Sequence, residues 1–476
     1  MPYPYDAISK DTIEKNEIDV KESYFDSESD YKRYIDIYKN HNSLKSYTIA
    51  YCMNDVKITI DFLIVLRDMI LIYDIDILKK KIYSISSLSA AIFVKKYNTL
   101  NLKLKMNRIA DDYIRQAYYG GRCEVFGNLY DNEQLYHFDF SGMYGQCMME
   151  KLPNGNFKYI SNPQKIEKPG FYDIIYTSKD LYLPILPHHS KKNGKLLFTN
   201  GTHRGKYWFE EINLFIENGG IVNEIKSAIV FDNYEYIFND YIAEFNKYRE
   251  KGKSYKTFGK LIINSLYGRL GMNIKNIKTI ITTKKDINYI ESKHNILSIS
   301  NHNNIFFVDI ETAEKSPKYS NIAIAAAITS KARIKLYKSL KETIKNKGRI
   351  LYSDTDSIFA AFNRNVDDEK HGEIIWKKEE KINDAIFIAP KEYALKYNDR
   401  KIIKIKGISK NIDINYDEIK EMFYDNKILE IKNNTQYLKK ISIEYRMINK
   451  IINLTKYDKR TFILNKKETI PNETND

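Results

Sequence analysis

The stretch RILYSDTDSIFAAF, Arg349 to Phe362, sets two apolar runs around a polar turn. Ile350-Leu351-Tyr352 lead in and Ile358 to Phe362 lead out, with Ser353, Asp354, Thr355, Asp356 and Ser357 between them. Strand formers on both sides of turn residues predict a β-hairpin. Asp354 and Asp356 stand two residues apart at its tip, a spacing that sends both carboxylates into one small volume. Like charges held that close repel, and a divalent cation relieves the repulsion. Alone, the stretch reads most simply as a solvated surface turn, so its meaning depends on what else can join it.

Two other stretches can. In LYHFDFSGMYGQCM, Leu135 to Met148, a hydrophobic strand ends in Asp139, a short turn follows and Tyr144 opens a helix. A carboxylate at a strand end, beside free backbone carbonyls, is half a site for a hard cation. The plainer reading is an Asp capping the next helix. In KTFGKLIINSLYGRLG, a helix from Lys256 to Gly268 puts Lys256, Lys260, Asn264 and Tyr267 on one stripe and Phe258, Leu261, Ile262 and Ser265 on another. Lysines sharing a stripe with an amide and a phenol suit the phosphates and base of a nucleotide. A solvated basic face explains only the lysines. Together, an Asp at a strand end and an Asp pair at a hairpin tip supply what two-metal phosphoryl transfer needs. One ion lowers the pKa of an attacking hydroxyl and the other steadies a leaving pyrophosphate.

In this order, DFSGMYG, KLIINSLYG and YSDTDS resemble motifs A, B and C of the family B DNA polymerases. Tyr118-Tyr119-Gly120-Gly121-Arg122 resembles the YxGG link of the protein-primed branch of phages, adenoviruses and linear plasmids, and Lys391-Glu392-Tyr393 resembles its KxY motif. The resemblance implies an α+β, right-hand fold of palm, fingers and thumb, with two inserted terminal-protein-region subdomains and a partial RNase H-like exonuclease domain. Its boundaries would be 1–75 for the exonuclease remnant, 76–116 for a helical linker, and 117–155 for the first part of the palm. The first insertion would follow at 156–233, the fingers at 234–271, the second insertion at 272–320, the rest of the palm at 321–410 and the thumb at 411–476.

The same resemblance implies roles. Asp139, Asp354 and Asp356 would be catalytic, with Asp139, Asp356 and the Phe140 carbonyl ligating two Mg²⁺ ions, for which Mn²⁺ could substitute. Tyr144 would exclude a 2′-hydroxyl, Lys260 and Arg249 would hold the triphosphate, and Asn264 and Tyr267 would pack on the nascent base pair. Lys391 and Tyr393 would hold the primer, and Tyr118, Gly120, Gly121 and Arg122 the template. Lys404 and Lys406, alternating with Ile403 and Ile405, could track phosphates as one face of a strand. The implied partners are primer–template DNA, dNTPs and a terminal protein that supplies the priming hydroxyl.

Two departures stand out. Motif A usually reads DxxSLYP, whereas Gly142, Met143 and Gly145 replace Ser, Leu and Pro here, predicting a looser turn. Tyr51-Cys52-Met53-Asn54-Asp55 resembles the third exonuclease motif, YxxxD, while Asp26-Ser27-Glu28 only imitates the first. Asp55 follows Asp26 by 29 positions, too few for the intervening sheet. The chain is therefore expected to begin inside the exonuclease domain, and proofreading by it alone is not expected. A catalytically inactive remnant that binds DNA or terminal protein is the alternative. A reverse transcriptase fits less well, because Thr355 separates two aspartates that are adjacent in those enzymes.

Composition agrees with a large basic enzyme. Hydrophobic residues at 43% supply a core, and Lys+Arg 76 against Asp+Glu 62 gives a formal charge of +14, favouring nucleic acid first and membrane surfaces second. Cys52, Cys123 and Cys147 show neither metal-ligand spacing nor a disulfide framework. No apolar run approaches the ~20 residues of a membrane span. Richness in Ile, Lys, Asn and Tyr suggests an AT-rich gene. Without an import signal, that favours a mitochondrial plasmid or organelle genome over a cytoplasmic plasmid or virus. Local patterns predict helices over Leu44–Tyr73, Tyr144–Leu152, Tyr234–Arg269 and Asn321–Lys345. Breaks are predicted at Ser84–Ser89 and Pro153-Asn154-Gly155, and a β-rich section at 274–310.

Overall fold

The computed structural model describes residues 2–4, 20–22, 25, 27–79, 82–102, 106–130, 133–272, 277–302, 305–311, 319–363, 376–378, 382–398, 400–406, 414–439, 442–452 and 454–474. Helices and sheets are mixed along the chain, which divides into two compact units, Met1–Ser84 and Ile85–Asp476.

The first unit is helical. Ser27 caps Glu28–Tyr38 by accepting from the Asp30 N–H, and Ser43 with Ser46 forms a capping box that starts Leu44–Leu71. Tyr34 and Tyr47 are buried between these helices, in edge-on ring contact. Further along the second helix, apolar side chains from Met53 to Val65 stay largely exposed. Tyr51 and Asp55 lie one turn apart on that helix, Tyr51 stacked on Tyr3 and Asp55 exposed. Asp26 lies outside the described residues.

The second unit is built around a five-stranded antiparallel sheet in the order Cys123–Val125, Arg349–Asp354, Ser357–Phe362, Gln134–Phe140, Trp376–Lys378. The expected hairpin is its centre. Ile358 to Phe362 are all buried, as a strand covered on both faces requires. One cover is the helix Ile322–Lys345, whose Leu336, Tyr337 and Leu340 pack against Ile350, Ile358, Ala360 and Phe362. The other is the three-stranded sheet Asp384–Ala389, Glu392–Lys396, Lys401–Lys404, whose Phe387, Tyr393 and Leu395 pack against Leu351, Tyr352 and Phe359. Each such large side chain contributes roughly 1.5–3 kcal/mol when fully buried. The hairpin is thus fixed from both sides.

Around this centre stand a four-stranded sheet in the order Lys151–Ser161, Ile221–Tyr236, Gly170–Ser178, Gly201–Trp208, the helices Phe209–Glu217, Asn239–Glu250 and Lys253–Leu270, and a three-stranded sheet within 277–311. The tail forms the ladders Leu429–Lys439 with Ser442–Ile452 and Arg460–Ile463 with Glu468–Pro471. Between the two ladders the Tyr457 hydroxyl bonds both the N–H and the carbonyl of Val125 in the central sheet at 3.0 Å. Among the described residues no helix is long and apolar enough to cross a membrane.

Three local expectations are corrected. Pro153-Asn154-Gly155 does not stop a helix; that helix is only Met143–Met148, and the triplet lies inside strand Lys151–Ser161. A register shift between Asn154 and Phe157, with Gly155 at φ +82°, absorbs the turn-forming residues as a bulge. Ser84–Ser89 is not a break, since Ile85–Ile92 is helical and Ser89 buries its hydroxyl against Tyr241 Oη and the Ile262 carbonyl, both at 2.8 Å. Tyr234–Arg269 is not continuously helical either. Its start belongs to the strand ending at Tyr236, and Gly252 divides the rest into two helices.

Candidate active site

Asp139 occupies the second-last position of strand Gln134–Phe140, and antiparallel pairing puts it opposite Ser357. The Phe140 N–H donates to the Asp356 carbonyl at 2.9 Å, tying the hairpin tip to the strand end. One cleft of about 400 Å³ is lined by Asp139, Asp354 and Asp356 together with Lys391, Tyr393 and Lys404, on a floor of His137, Tyr352 and Phe359. The two sequence stretches that carry these aspartates therefore meet in one place, as their chemistry requires.

The tip itself is unusual. Thr355 takes φ +60°, a left-handed conformation that costs a non-glycine residue roughly 1–2 kcal/mol. Its N–H donates to the Arg122 carbonyl at 2.8 Å, and the Asp356 N–H donates to the Asp354 carbonyl at 2.6 Å. Gly121 lies against the same residue, where a Cβ would fall 2.8 Å from Thr355 Cγ2. Only glycine permits that approach. Burial, with Asp354 repulsion behind it, raises the Asp356 carboxyl from its ordinary value, while a backbone hydrogen bond and then Lys260 and Lys391 pull it down.

These donors suit a hard cation. They are carboxylates, and one of them, Asp356, is half-buried beside the charge of Asp354. Among the described residues, no three His, Cys, Asp or Glu side chains converge into a ready-made ion cage.

On the other side of Asp139, Gly142 takes φ +73° and starts the helix Met143–Met148. Tyr144 stacks on Tyr267 of helix Lys253–Leu270, with ring centroids 4.2 Å apart and planes 13° from parallel. Burial, then the Tyr267 phenol, pushes the Tyr144 hydroxyl far above its ordinary range, so it stays a protonated donor. The expected stripe is present: Lys256 and Lys260 are exposed, Asn264 and Tyr267 half-buried. Its packing face differs from expectation. Ile262, Ile263, Leu266 and Leu270 are buried, and Leu261 is exposed. Lys260 and Asn264 line a small pocket of about 40 Å³ with Gly142 and Gly145 of motif A.

The flanking residues divide. Lys391 lies in a left-handed turn at φ +63°, with its ammonium exposed and 3.9 Å from Asp354. Its N–H donates to the Tyr352 hydroxyl at 2.8 Å. Lys404 pairs across from Tyr393 and places its ammonium 5.0 Å from that ring, while Lys406 is exposed just beyond the strand. Gly120 is exposed and Tyr118 half-buried. Arg122 is a correction. Its side chain is 3% exposed, paired with Glu124 at 2.7 Å and donating to the Pro184 carbonyl at 2.9 Å, so the guanidinium is enclosed in the core. Arg249 sits on helix Asn239–Glu250, and its side chain lies outside the described residues. Sequence reasoning missed Tyr352 and Thr355, whose signals were a polar group within an apolar run and the residue between the acids.

The chain matches the family model for DNA polymerase type B, organellar and viral, over residues 2–346. It is 28% identical over 402 residues to a "Probable DNA polymerase" of Podospora anserina, covering 75% of this chain and 33% of that one. To a DNA polymerase of Bovine adenovirus B serotype 3 it is 26% identical over 213 residues, covering 38% and 20%. The chain thus spans about a third of the length of its Podospora relative. Among solved structures it superposes on Phi29 DNA polymerase complexed with primer-template DNA with TM-score 0.61 and 17% identity, covering 87% of this chain and 73% of that one. At that identity the likeness is one of fold.

Proposed function

The chain belongs to the organellar and viral type B DNA polymerases, and from that premise we propose that it is a DNA-directed DNA polymerase. It would add deoxynucleotides to a primer 3′-hydroxyl, or to a hydroxyl on a terminal protein, in replicating a linear plasmid, organelle or viral DNA. The observation that carries this reading is that Asp139, Asp354 and Asp356 line one cleft with Lys391 and Lys404.

The site's own residues divide the work. Lys391 and Lys404 line the aspartate cleft, where cations suit the primer phosphates. Tyr144, held by its stack on Tyr267, would act as the gate that excludes a ribose 2′-hydroxyl. The exposed Lys260 would take the triphosphate, and the half-buried Asn264 and Tyr267 would pack on the base pair. Mg²⁺ held by Asp139 and Asp356 would supply activation of the primer hydroxyl and charge neutralisation at the pyrophosphate.

The test is extension of a primed template by the whole protein with dNTPs and Mg²⁺, each added base dictated by the template. Salt-sensitive DNA binding without extension would instead identify an inactive DNA-binding remnant. In the same assay Tyr144→Val should relax discrimination against ribonucleotides by on the order of 100-fold. Unchanged discrimination removes the gate role.

A further inference from the structure

A buried ion pair behind the hairpin has no part in the chemistry described so far. Arg333, on helix Ile322–Lys345, and Glu211, on helix Phe209–Glu217, are 5% and 1% exposed. They meet in a two-pronged pair, Nε to Oε1 and Nη2 to Oε2, both at 2.6 Å. Ser330 Oγ donates to Glu211 Oε2 at 2.8 Å. The remaining guanidinium nitrogen, Nη1, points away from Glu211 and donates to the Tyr119 carbonyl at 2.7 Å and more weakly to the Gly120 carbonyl at 3.4 Å.

Those carbonyls begin the turn that supports the strained hairpin tip. Gly121 follows and lies against the Thr355 side chain, and the Arg122 carbonyl then accepts from the Thr355 N–H. Strand Cys123–Val125 continues alongside the hairpin, with Cys123 opposite Asp354. A left-handed threonine persists only where its surroundings over-determine it. Its two neighbours in sequence are Asp354 and Asp356. An error in the turn at 119–122 therefore reaches both carboxylates.

We infer that Arg333, oriented by Glu211, is a positioning residue for the aspartate hairpin: it fixes the Tyr119–Arg122 turn, which in turn holds Thr355 left-handed between Asp354 and Asp356. This rests on the polymerase reading of the cleft. A planar fork is required, because one guanidinium serves Glu211 twice and a carbonyl on the opposite side. Lysine keeps the charge and cannot do both. Arg333 is buried with its guanidinium engaged by Glu211 and the Tyr119 carbonyl, so its loss should lower kcat and leave the KM for dNTP nearly unchanged.

The experiment is a double-mutant cycle in primer extension on the whole protein. Arg333→Lys should lower kcat by about 10- to 100-fold with KM for dNTP within about 3-fold, the scale of a displaced catalytic group. Glycine adopts the left-handed conformation freely, so in a Thr355→Gly background the same change should cost less than about 3-fold. An equal loss in both backgrounds, a loss confined to KM, or full activity in Arg333→Lys overturns the inference and leaves the polymerase reading intact. Should Arg333→Lys fail to fold by circular dichroism, the cycle is run with Glu211→Gln on the same criteria. If the wild type extends nothing, the polymerase reading fails. Amide exchange at Thr355 then decides the positioning role by itself: faster exchange in Arg333→Lys supports it, and unchanged exchange overturns it.

Discussion

Two of the turns beside the catalytic aspartates, one after Asp139 and one between Asp354 and Asp356, enter the left-handed region of backbone space by opposite means. After Asp139 the chain uses a glycine, Gly142 at φ +73°, which pays no Cβ penalty. Between Asp354 and Asp356 it uses Thr355 at φ +60°, which does, and which is held by the Arg122 carbonyl and the close approach of Gly121. The motif A turn is therefore self-sufficient, although its sequence departs from the family pattern. The hairpin tip keeps the family sequence and depends on its neighbours. Closeness of sequence to a family pattern and local autonomy are separate properties.

That contrast can be broken at several points. The largest effect is expected from Asp356→Asn, which should lower extension by on the order of 1,000-fold, as loss of a transition-state charge partner does. The same substitution should stabilise the metal-free protein. Burial raises the Asp356 pKa on folding, so between the unfolded and folded values the folded state holds more protons, and stability falls as pH rises through that window. Asparagine escapes this loss. Thermal melting at neutral pH should show Asp356→Asn higher by on the order of 1 °C without metal, with Mg²⁺ narrowing the gap. A lower melting point would reverse the assigned cause.

Gly121→Val should act next most strongly. Its side chain meets Thr355 at contact distances of 2.8–3.1 Å, so extension should fall by about 100-fold in a protein that still binds DNA. Wild-type extension would show that the tip does not depend on the turn. Gly142→Ala is the smallest: about 1 kcal/mol of stability for a left-handed alanine, measured by denaturant unfolding, with extension changed only a few-fold. A larger catalytic loss there would make the two turns equivalent.

The sequence disclosed chemistry better than architecture. The hairpin, the end of the Asp139 strand and the Lys260 stripe were legible because each combines a periodicity with a polar group that the periodicity does not explain. Pro153-Asn154-Gly155 misled because a bulge, set by pairing with a strand more than 70 residues away, admits turn residues into a sheet. Arg122 misled in the other direction: an arginine in a glycine-rich motif suggested a ligand, yet Glu124, Pro184 and the rings of Phe126 and Phe198 enclose it. The partner of Arg333, Glu211, lies 122 positions away on another helix, and no local pattern announces such a pair.

The central claim is that Asp139 and the hairpin aspartates form one polymerase site, and single-turnover extension of the same primed template by wild type and Asp139→Asn tests it most directly. With DNA saturating and Mg²⁺ present, the wild type should add the templated nucleotide while Asp139→Asn, binding the DNA equally well, is slower by on the order of 1,000-fold. Equal rates in the two proteins would contradict the assignment.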